Sequence, residues 1–269
     1  MKMFSLDNKV IIVTGATGVL GEAFVSGLAT AGAKLVLIGR KLDIAQQRAD
    51  EVNANGGEAI AAAADVLDEA ALTAIRDQVL AKWGRIDGLV NGAGGNMPEA
   101  IIGPNDDLFG FSIDGMRKAF DLNLFGTILP TRIFGEVIVK NGGSIVNISS
   151  MAAGQAITRV LGYSMAKAAV DNFTKWMSTE MSLRFGDKVR MNAIAPGFFV
   201  THQNRALLTN TDGTYTERGG KVINNTPAGR FGNPDELIGA LVWLLSDASV
   251  FVNGQVINVD GGFSIYSGV

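Results

Sequence analysis

The stretch GYSMAKAAVDNF, residues 162–173, places a phenol and an ammonium within an otherwise apolar helical pattern. Tyr163 and Lys167 are four residues apart, and side chains at that spacing share one face of a helix. A free tyrosine has a pKa of about 10, but a neighbouring positive charge favours the phenolate and lowers that pKa. The pair is therefore a candidate general acid/base near neutral pH, although its spacing alone is not specific.

A glycine loop is the second feature that could do chemistry. Gly15, Gly18 and Gly21 stand in TGATGVLG, between an apolar strand pattern and a helical pattern. Glycines there allow a tight turn and a close approach of the backbone to a pyrophosphate, and the helix N-terminus offers N–H donors. The chain has 34 glycines, so the spacing is weak support; the position after a strand and before a helix makes nucleotide binding the better interpretation.

These groups need a scaffold that brings them together. Short apolar, β-branched runs alternate with longer helical patterns, and their nearly continuous hydrophobicity suits parallel strands buried on both faces. The alternation predicts an α/β fold, a single Rossmann-type domain over residues 1–269 with a doubly wound, seven-stranded parallel sheet and helices on both faces. The predicted strands are residues 9–15, 34–39, 58–66, 86–94, 143–150, 189–197 and 254–262.

Ligands bind beyond the carboxyl ends of the strands in such a sheet. Small and polar residues follow the predicted strands at that edge, namely TGATGVLG after the first, Asp65 after the third, NGAGGN after the fourth, Ser149 and Ser150 after the fifth, and PGFFVT after the sixth. We therefore expect one cleft to contain both the glycine loop and the tyrosine–lysine pair.

The composition excludes several classes of function. The chain is 47% hydrophobic with a net charge of -3, so it has no basic field for nucleic acid or anionic lipid. It has no cysteine and one histidine, His202, and no carboxylate pair at ligand spacing, so we predict no catalytic metal. No signal-peptide core and no apolar run of membrane-spanning length are found, so a cytoplasmic protein is expected, without nucleic acid or membrane as a partner.

Further residues make the tyrosine–lysine pair specific. Ser150 stands 13 residues before Tyr163, and Asn123, within FDLNLFG, stands 27 residues before Ser150. With the glycine loop, NGAG, PGFFVT and the terminal VDGG, these residues occur in the order and at the spacing typical of a short-chain dehydrogenase/reductase. From about residue 6 onward the chain resembles that family.

The resemblance implies a catalytic set. Tyr163 would exchange a proton with the substrate oxygen, and Ser150 would hydrogen-bond that oxygen. Lys167 would bind the nicotinamide ribose and lower the pKa of Tyr163, and Asn123 would interrupt its helix and hold a water in a proton relay. The reaction implied is the interconversion of a secondary alcohol and a ketone.

The resemblance also implies a nicotinamide dinucleotide site. The expected cofactor-binding residues are Gly15, Thr17, Gly18, Val19, Leu20, Gly21, Arg40, Asp65, Val66, Asn91, Gly92, Ala93, Tyr163, Lys167, Pro196, Gly197 and Thr201. The second strand ends LIGRK, with Gly39 where an NAD site usually carries an acid and with Arg40 and Lys41 after it. The missing acid and adjacent bases favour NADP(H), with NAD(H) as the alternative.

Two departures from the family pattern point to a particular branch. Gly18 follows Gly15 by three residues rather than four, and Val19 fills the usual glycine site. Gly92 replaces the second asparagine of the usual Asn-Asn-Ala-Gly segment, so a side-chain bond that steadies the central strands is expected to be lost or replaced. With GGNMP, APGFFVTHQNRALLTN and TPAGRFGNPDEL, these features resemble the branch of fructuronate reductases, or D-mannonate oxidoreductases.

Residues 198–230 form a long polar segment that we expect to cover the cleft and that we call the cap segment. Amide and guanidinium groups suit a hydroxylated, carboxylated substrate, because arginine binds carboxylates in bidentate fashion. The candidate substrate residues are Asn96, Arg159, Gln203, Asn204 and Arg205. D-Fructuronate or D-mannonate is the expected substrate; a gluconate 5-dehydrogenase, a 3-oxoacyl-carrier-protein reductase and a non-catalytic nucleotide sensor are the alternatives.

The helical stretches 112–139 and 158–184 are more apolar than a solvent-facing layer requires. A subunit interface would cover the surplus. The family commonly forms tetramers with 222 symmetry, so a homotetramer is expected, with a dimer as the alternative.

Overall fold

The architecture is a parallel sheet covered by helices on both faces, seen in a computed structural model that describes residues 2–201 and 204–268. Within that part of the chain, seven parallel strands lie in the order β3-β2-β1-β4-β5-β6-β7. The strands are β1 Val10–Thr14, β2 Lys34–Gly39, β3 Glu58–Ala63, β4 Gly88–Asn91, β5 Gly143–Ile148, β6 Val189–Pro196 and β7 Val256–Val259. The predicted fold class and strand set are confirmed.

Several strands are shorter than predicted, and the missing residues belong to the loops at the carboxyl edge. β4 ends at Asn91 and not at residue 94, and β3 ends at Ala63 and not at residue 66. In both cases small apolar residues follow the last residue that pairs with a neighbouring strand. The apolar run in the sequence is therefore longer than the strand itself. The released loops line the cleft described below.

The helices fill the crossovers between strands. They are α1 Val19–Thr30, α2 Leu42–Ala54, α3 Glu69–Trp83, α4 Ile113–Phe120, α5 Gly126–Asn141, α6 Leu161–Phe185, α7 Arg205–Leu208, α8 Glu217–Asn224 and α9 Ile238–Leu245. α3 begins and ends as the sequence indicates: Asp68 caps it by accepting from the Ala71 N–H at 3.0 Å, and Gly84 ends it with φ 71°.

Two hydrophobic cores lie on opposite faces of the sheet. Phe24 of α1 and Leu241 of α9 are fully buried on one face. Val79 of α3, Phe134 of α5 and Met181 of α6 are buried on the other. Because both faces are covered, the central strands are apolar throughout and the polar residues collect at the strand ends.

The predicted helix 112–139 is one continuous helical segment with a wider turn inside it. Between α4 and α5, residues Asp121–Phe125 form a π-helical turn. The segment Ile113–Asn141 is long and apolar enough by composition to cross a membrane, but 56% of its most apolar window is buried inside the protein. Packing inside the protein therefore accounts for more than half of that window, whereas Phe125 of the segment stays exposed.

Candidate active site

The floor of the cleft is formed where β5 ends and α6 begins. Ser150 follows β5, and Tyr163 and Lys167 lie in the first turns of α6. The Ser150 hydroxyl accepts the Ala152 N–H at 3.2 Å and also hydrogen-bonds the phenol of Tyr163. The strand end and the helix start therefore bring these three predicted catalytic residues to one place.

Lys167 is a buried cation with one direct partner. Its side chain is 2% exposed, and its Nζ donates to the carbonyl of Ile148 at 2.6 Å. Burial lowers the pKa of Lys167 to about 8, while the carboxylate of Asp171 opposes that shift. The ammonium is thus held near the phenol by the end of β5.

The pKa of Tyr163 moves in the direction opposite to the one predicted. Burial raises the pKa of the phenol, and a hydrogen bond with Ser150 only partly offsets that rise. The Lys167 Nζ lies 5.6 Å from the ring centroid and makes its hydrogen bond elsewhere. Desolvation therefore sets the direction of the pKa shift of Tyr163, and the phenol keeps its proton.

Asp171 is a further acidic group beneath Tyr163 and Lys167. It lies one helical turn after Lys167, and the Ser149 hydroxyl donates a short hydrogen bond to its carboxylate. Burial raises the pKa of Asp171, and the bond from Ser149 opposes that shift. Through this contact α6 is fixed to the end of β5 directly behind Lys167.

Asn123 lies in the π-helical turn and is completely buried. Its Nδ2 donates to the carbonyls of Gly95 and Ala119, each at 2.9 Å, and its Oδ1 accepts the Gly95 N–H at 2.9 Å. The helix is therefore distorted at the predicted residue, and the side chain holds the loop after β4. A Cβ at Gly94 would lie 2.8 Å from Asn123 Oδ1, so only glycine fits beside it.

The glycine loop has the shape that a pyrophosphate requires. Gly15 has φ 68°, and a Cβ there would lie 2.6 Å from the backbone of Gly92. A Cβ at Gly21 would lie 2.2 Å from the Gly15 carbonyl. A Cβ at Gly18 would meet only the Gly15 carbonyl, at 3.4 Å, so this position leaves space on the cleft side.

The start of α1 is an uncapped helix N-terminus. Gly18 is the N-cap residue and provides no side-chain cap. The N–H groups of Val19, Leu20 and Gly21, all in the cleft wall, accordingly have no acceptor within the described chain. Free N–H donors and the helix dipole together suit a phosphate group, so the residues present fit a dinucleotide.

Arg48 is a residue of this region that the sequence did not reveal. From α2, its guanidinium donates to the carbonyl of Ala16 through a short hydrogen bond and to that of Gly18 at 2.9 Å, and it pairs with Glu22 at 2.8 Å. The sequence held only a weak indication of this contact: Arg48 is next to Ala49 and one turn from Ala45, two positions that α2 buries. Arg48 thus holds the glycine loop in place from α2 and also lines the cavity described below.

A single cavity of about 590 Å³ joins the glycine loop to the tyrosine–lysine pair. That volume lies within the range of ligand and cofactor sites. Most of the predicted residues belong to its wall, namely Gly15, Thr17, Gly18, Val19, Leu20, Gly21, Gly92, Asn96, Ser150, Tyr163, Lys167, Pro196, Gly197, Thr201 and Asn204. Within the described residues the wall does not include Asn123, Arg40, Asp65, Val66, Asn91, Ala93, Arg159 or Arg205.

Asn91 bonds within the sheet rather than facing the cavity. Its Nδ2 donates to Asn147 Oδ1 at 2.8 Å and to Thr131 Oγ1 at 2.9 Å, and Asn147 donates in turn to Thr174 at 2.8 Å. These bonds join β4 to β5, α5 and α6. Asn91 thus joins the central strands beside Gly92 through a buried polar network, while its own Oδ1 has no hydrogen-bond partner within the described chain.

The far end of the cavity, under the cap segment, mixes polar and apolar side chains. Asn96 Oδ1 is buried and has no hydrogen-bond partner within the described chain, which marks it as an acceptor for a ligand. Asn204 is already occupied, because its side chain bonds the Thr201 N–H and the Phe199 carbonyl. Arg218 of α8 also lines this end, whereas His202 and Gln203 lie outside the described residues.

No group of three or more histidine, cysteine, aspartate or glutamate side chains lies at metal-binding distances in the part of the chain that the structure describes.

Comparison with known proteins places this site in a family. A family model described as Enoyl-(Acyl carrier protein) reductase matches residues 15–264. An uncharacterised oxidoreductase of Bacillus subtilis is 42% identical over 275 residues, covering 98% of each chain. The chain belongs to the short-chain dehydrogenase/reductase family.

Solved structures of this family agree with the fold and the cleft. A candidate D-mannonate oxidoreductase from Haemophilus influenza, with bound NAD, is 43% identical and has a TM-score of 0.90 over 98% of each chain. A gluconate 5-dehydrogenase from Burkholderia cenocepacia, in complex with NADP and tartrate, is 34% identical with a TM-score of 0.85 over 97% of each chain. As a short-chain dehydrogenase/reductase, the protein is an NAD(P)-dependent oxidoreductase that interconverts an alcohol and a ketone.

Proposed function

We propose that the protein interconverts D-fructuronate and D-mannonate, with Tyr163 as the proton carrier. The convergence of Ser150, Tyr163 and Lys167 in the cavity that also contains the uncapped start of α1 carries this proposal. The similarity to the Haemophilus candidate D-mannonate oxidoreductase supports the choice of substrate.

The roles follow from the chemistry of each side chain. In reduction, the protonated phenol of Tyr163 donates its proton to the substrate carbonyl oxygen, and the hydroxyl of Ser150 donates a hydrogen bond to the same oxygen. The ammonium of Lys167 stabilises the phenolate that remains. When bound, the nicotinamide supplies or accepts the hydride.

Asn123 has a positioning role in this proposal. Its side chain fixes Gly95 through two hydrogen bonds of 2.9 Å each, and this loop forms part of the cavity wall. The predicted proton relay from Lys167 to solvent belongs to the same proposal, with Asn123 as the residue that shapes its path.

The proposed dinucleotide site extends from the start of α1 to α6. The N–H groups of Val19, Leu20 and Gly21 would bind the pyrophosphate, and Lys167 the nicotinamide ribose. NADP(H) remains the favoured cofactor, because Lys41 lines the adenosine end and no acidic residue ends β2. Arg40, Asp65 and Val66 would reach the adenosine from just outside the present wall.

A sugar acid suits the far end of the cavity. The unpartnered acceptor Asn96 Oδ1 can receive a hydroxyl proton, and Arg159 lies near this end of the cleft. Gluconate 5-dehydrogenation is the second candidate, supported by the similarity to the Burkholderia enzyme. Both substrates carry a carboxylate a few carbons from the reacting carbon.

The decisive experiment is a panel of D-fructuronate, 5-keto-D-gluconate and acyl thioesters against NADH and NADPH at matched concentrations. We expect the near-ultraviolet absorbance of the reduced cofactor to fall fastest with D-fructuronate. Faster turnover of 5-keto-D-gluconate would support the second candidate. No turnover of either sugar acid would overturn the proposal.

We also propose a cytoplasmic homotetramer. Several large apolar side chains of the π-helical turn, α6 and the loop before β7 are exposed, notably Phe125, Trp176, Leu183, Phe185 and Phe251. β7 is an edge strand of the described sheet. Light scattering on the purified protein would test the tetramer, and a monomer would contradict it.

A further inference from the structure

Arg218 lies at the substrate end of the cavity, on the cap segment. It is the second residue of α8, is partly buried and belongs to the cavity wall. Its guanidinium donates to Thr158 twice, to Oγ1 at 3.1 Å and to the backbone carbonyl at 3.2 Å. A guanidinium has five N–H donors, and the others have no acceptor within the described residues.

The Arg218 charge has no anionic partner in the described part of the chain. The adjacent carboxylate, Glu217, pairs with Lys221 at 2.6 Å instead. Burial lowers the pKa of Arg218, and the nearby positive charge of Arg159 lowers it further. The two guanidinium groups therefore repel each other, and the carboxylate near Arg159 is that of Glu217, which is already paired with Lys221, so a bound anion would relieve the repulsion.

The backbone of Arg159 indicates that its position is imposed by its surroundings. Arg159 has φ 78°, in the left-handed region that a non-glycine residue rarely adopts. Its carbonyl accepts the Ile102 N–H at 3.0 Å, which fixes the loop before α6 in this conformation. Strain of this kind is concentrated at binding sites.

We propose that the guanidinium of Arg218 binds the carboxylate of the substrate, with Arg159 as the second positive charge, and so selects acids over neutral sugars. This inference rests on the proposed function, whose substrate is a sugar acid. A planar guanidinium matches a carboxylate in bidentate geometry, and Arg218 belongs to the wall of the cavity that would hold the substrate.

A different role for Arg218 would be purely mechanical, as a latch between the cap segment and Thr158. The two roles predict different kinetics. A latch would matter equally for every substrate, whereas a carboxylate-binding residue would matter only for acids. D-Fructose is a suitable neutral probe, because it carries a hydroxymethyl group where D-fructuronate carries its carboxylate.

The test compares wild type, Arg218→Gln and Arg218→Lys at saturating cofactor. We expect Arg218→Gln to raise the KM for D-fructuronate roughly 10- to 100-fold with little change in kcat, while kcat/KM for D-fructose stays the same. Arg218→Lys keeps the positive charge but cannot bind a carboxylate in bidentate geometry, so its KM for D-fructuronate should lie between those of wild type and Arg218→Gln. Arg117→Gln, at an exposed arginine of α4 outside the cavity wall, is the matched control and should behave as wild type.

Equal losses with both sugars, or no loss with D-fructuronate, would overturn the inference while leaving the proposed function intact. A second measurement does not depend on turnover. Calorimetry would measure the binding of tartrate to the protein loaded with reduced cofactor. We expect Arg218→Gln to weaken that binding by a similar factor. If wild type turns over no sugar acid but this difference persists, the proposed function fails and the anion site stands; tartrate binding that is absent or unchanged by the substitution overturns the site.

Discussion

The ammonium of Lys167 lies 5.6 Å from the centre of the Tyr163 ring, yet its hydrogen bond goes to the carbonyl of Ile148 at 2.6 Å. The charge is close enough to favour a phenolate once one forms, but it does not remove the proton from the resting phenol. Burial keeps that proton in place by raising the pKa of Tyr163. A protonated phenol is the form that reduction requires, because Tyr163 must then act as an acid.

Replacing Tyr163 with phenylalanine should remove the proton donor without disturbing the fold. We expect kcat to fall by roughly 10²- to 10⁴-fold, the usual contribution of a positioned general acid. The dissociation constant of the reduced cofactor, measured by fluorescence, should change little.

Tyr215→Phe is the matched control for this experiment. Tyr215 is exposed in the cap segment, and its ring packs edge-on against Phe231 at 5.4 Å, a contact that phenylalanine keeps. Normal turnover by Tyr163→Phe would show that another group transfers the proton.

The rate of reduction should fall as the pH rises through about 8. The pKa of Lys167 is lowered to about 8 by burial, so above that pH the ammonium loses its proton and no longer stabilises the forming phenolate. Below it, both Lys167 and Tyr163 are protonated, as reduction requires. We expect kcat/KM for the ketone to be level at neutral pH and to decline on the alkaline side; a profile level up to about pH 10 would contradict the role of Lys167.

Asp171→Asn should move this alkaline decline to lower pH. The carboxylate of Asp171 raises the pKa of Lys167 and so opposes the effect of burial. Asparagine keeps an oxygen that can accept the hydroxyl proton of Ser149 but carries no charge, so only the electrostatic contribution is lost. An unchanged pH profile would mean that Asp171 merely supports packing.

Two glycines of the loop should respond differently to alanine. At Gly18, φ is -82° and a Cβ would meet only one atom, at 3.4 Å, so Gly18→Ala should fold normally. The added methyl group faces the space for the pyrophosphate, however, and should weaken cofactor binding by about tenfold or more.

At Gly21, a Cβ would lie 2.2 Å from the Gly15 carbonyl, so Gly21→Ala should lower the thermal midpoint of unfolding as well as cofactor affinity. Denaturation scans without cofactor separate the two variants. If Gly18→Ala proved the less stable one, the loop geometry would be wrong.

Arg48→Leu should weaken NADH and NADPH equally. The guanidinium of Arg48 hydrogen-bonds the Gly18 carbonyl and the Glu22 carboxylate. Its loss should therefore loosen the glycine loop, which both cofactors would contact. Hydrogen bonds to charged groups are worth roughly 1.5–3 kcal/mol, and an increase of about tenfold or more in both dissociation constants is expected.

Lys41→Ala serves as the contrast, because Lys41 lines the adenosine end of the cavity. It should weaken NADPH but not NADH. A selective loss of NADPH in Arg48→Leu would instead assign the 2′-phosphate to Arg48.

The sheet and the convergence of the catalytic residues could be predicted because they depend on local patterns. Buried strands are recognisable as apolar runs, and parallel strands bring their carboxyl ends to one edge. Ser150 follows β5 and Tyr163 lies at the start of α6, and these two positions are enough to predict that both residues reach the same edge of the sheet. The split of residues 112–139 by a π-helical turn at Asn123 was likewise anticipated from the family pattern.

What the sequence could not reveal depends on solvation and on distant contacts. The direction of the pKa shift of Tyr163 is set by desolvation, which a one-dimensional pattern does not contain. Arg218 carries no signal that separates it from the other arginines of the cap segment, because its contact with Thr158 spans 60 residues of chain. The buried polar network around Asn91, next to Gly92, also required the packed structure.

The turn at Gly15 and the turn at Gly92 touch backbone to backbone, with no room for a Cβ between them. Because this contact is made by backbone atoms, a substitution at Gly15 or Gly92 would break the contact rather than adjust the preference for one cofactor. Lys41, the N-cap residue just before α2, is then the position at which a change would redirect the enzyme from one dinucleotide to the other, because Arg48 supports the loop that both cofactors share. Cofactor choice could thus be altered at Lys41 while Ser150, Tyr163 and Lys167 at the other end of the cavity stay unchanged.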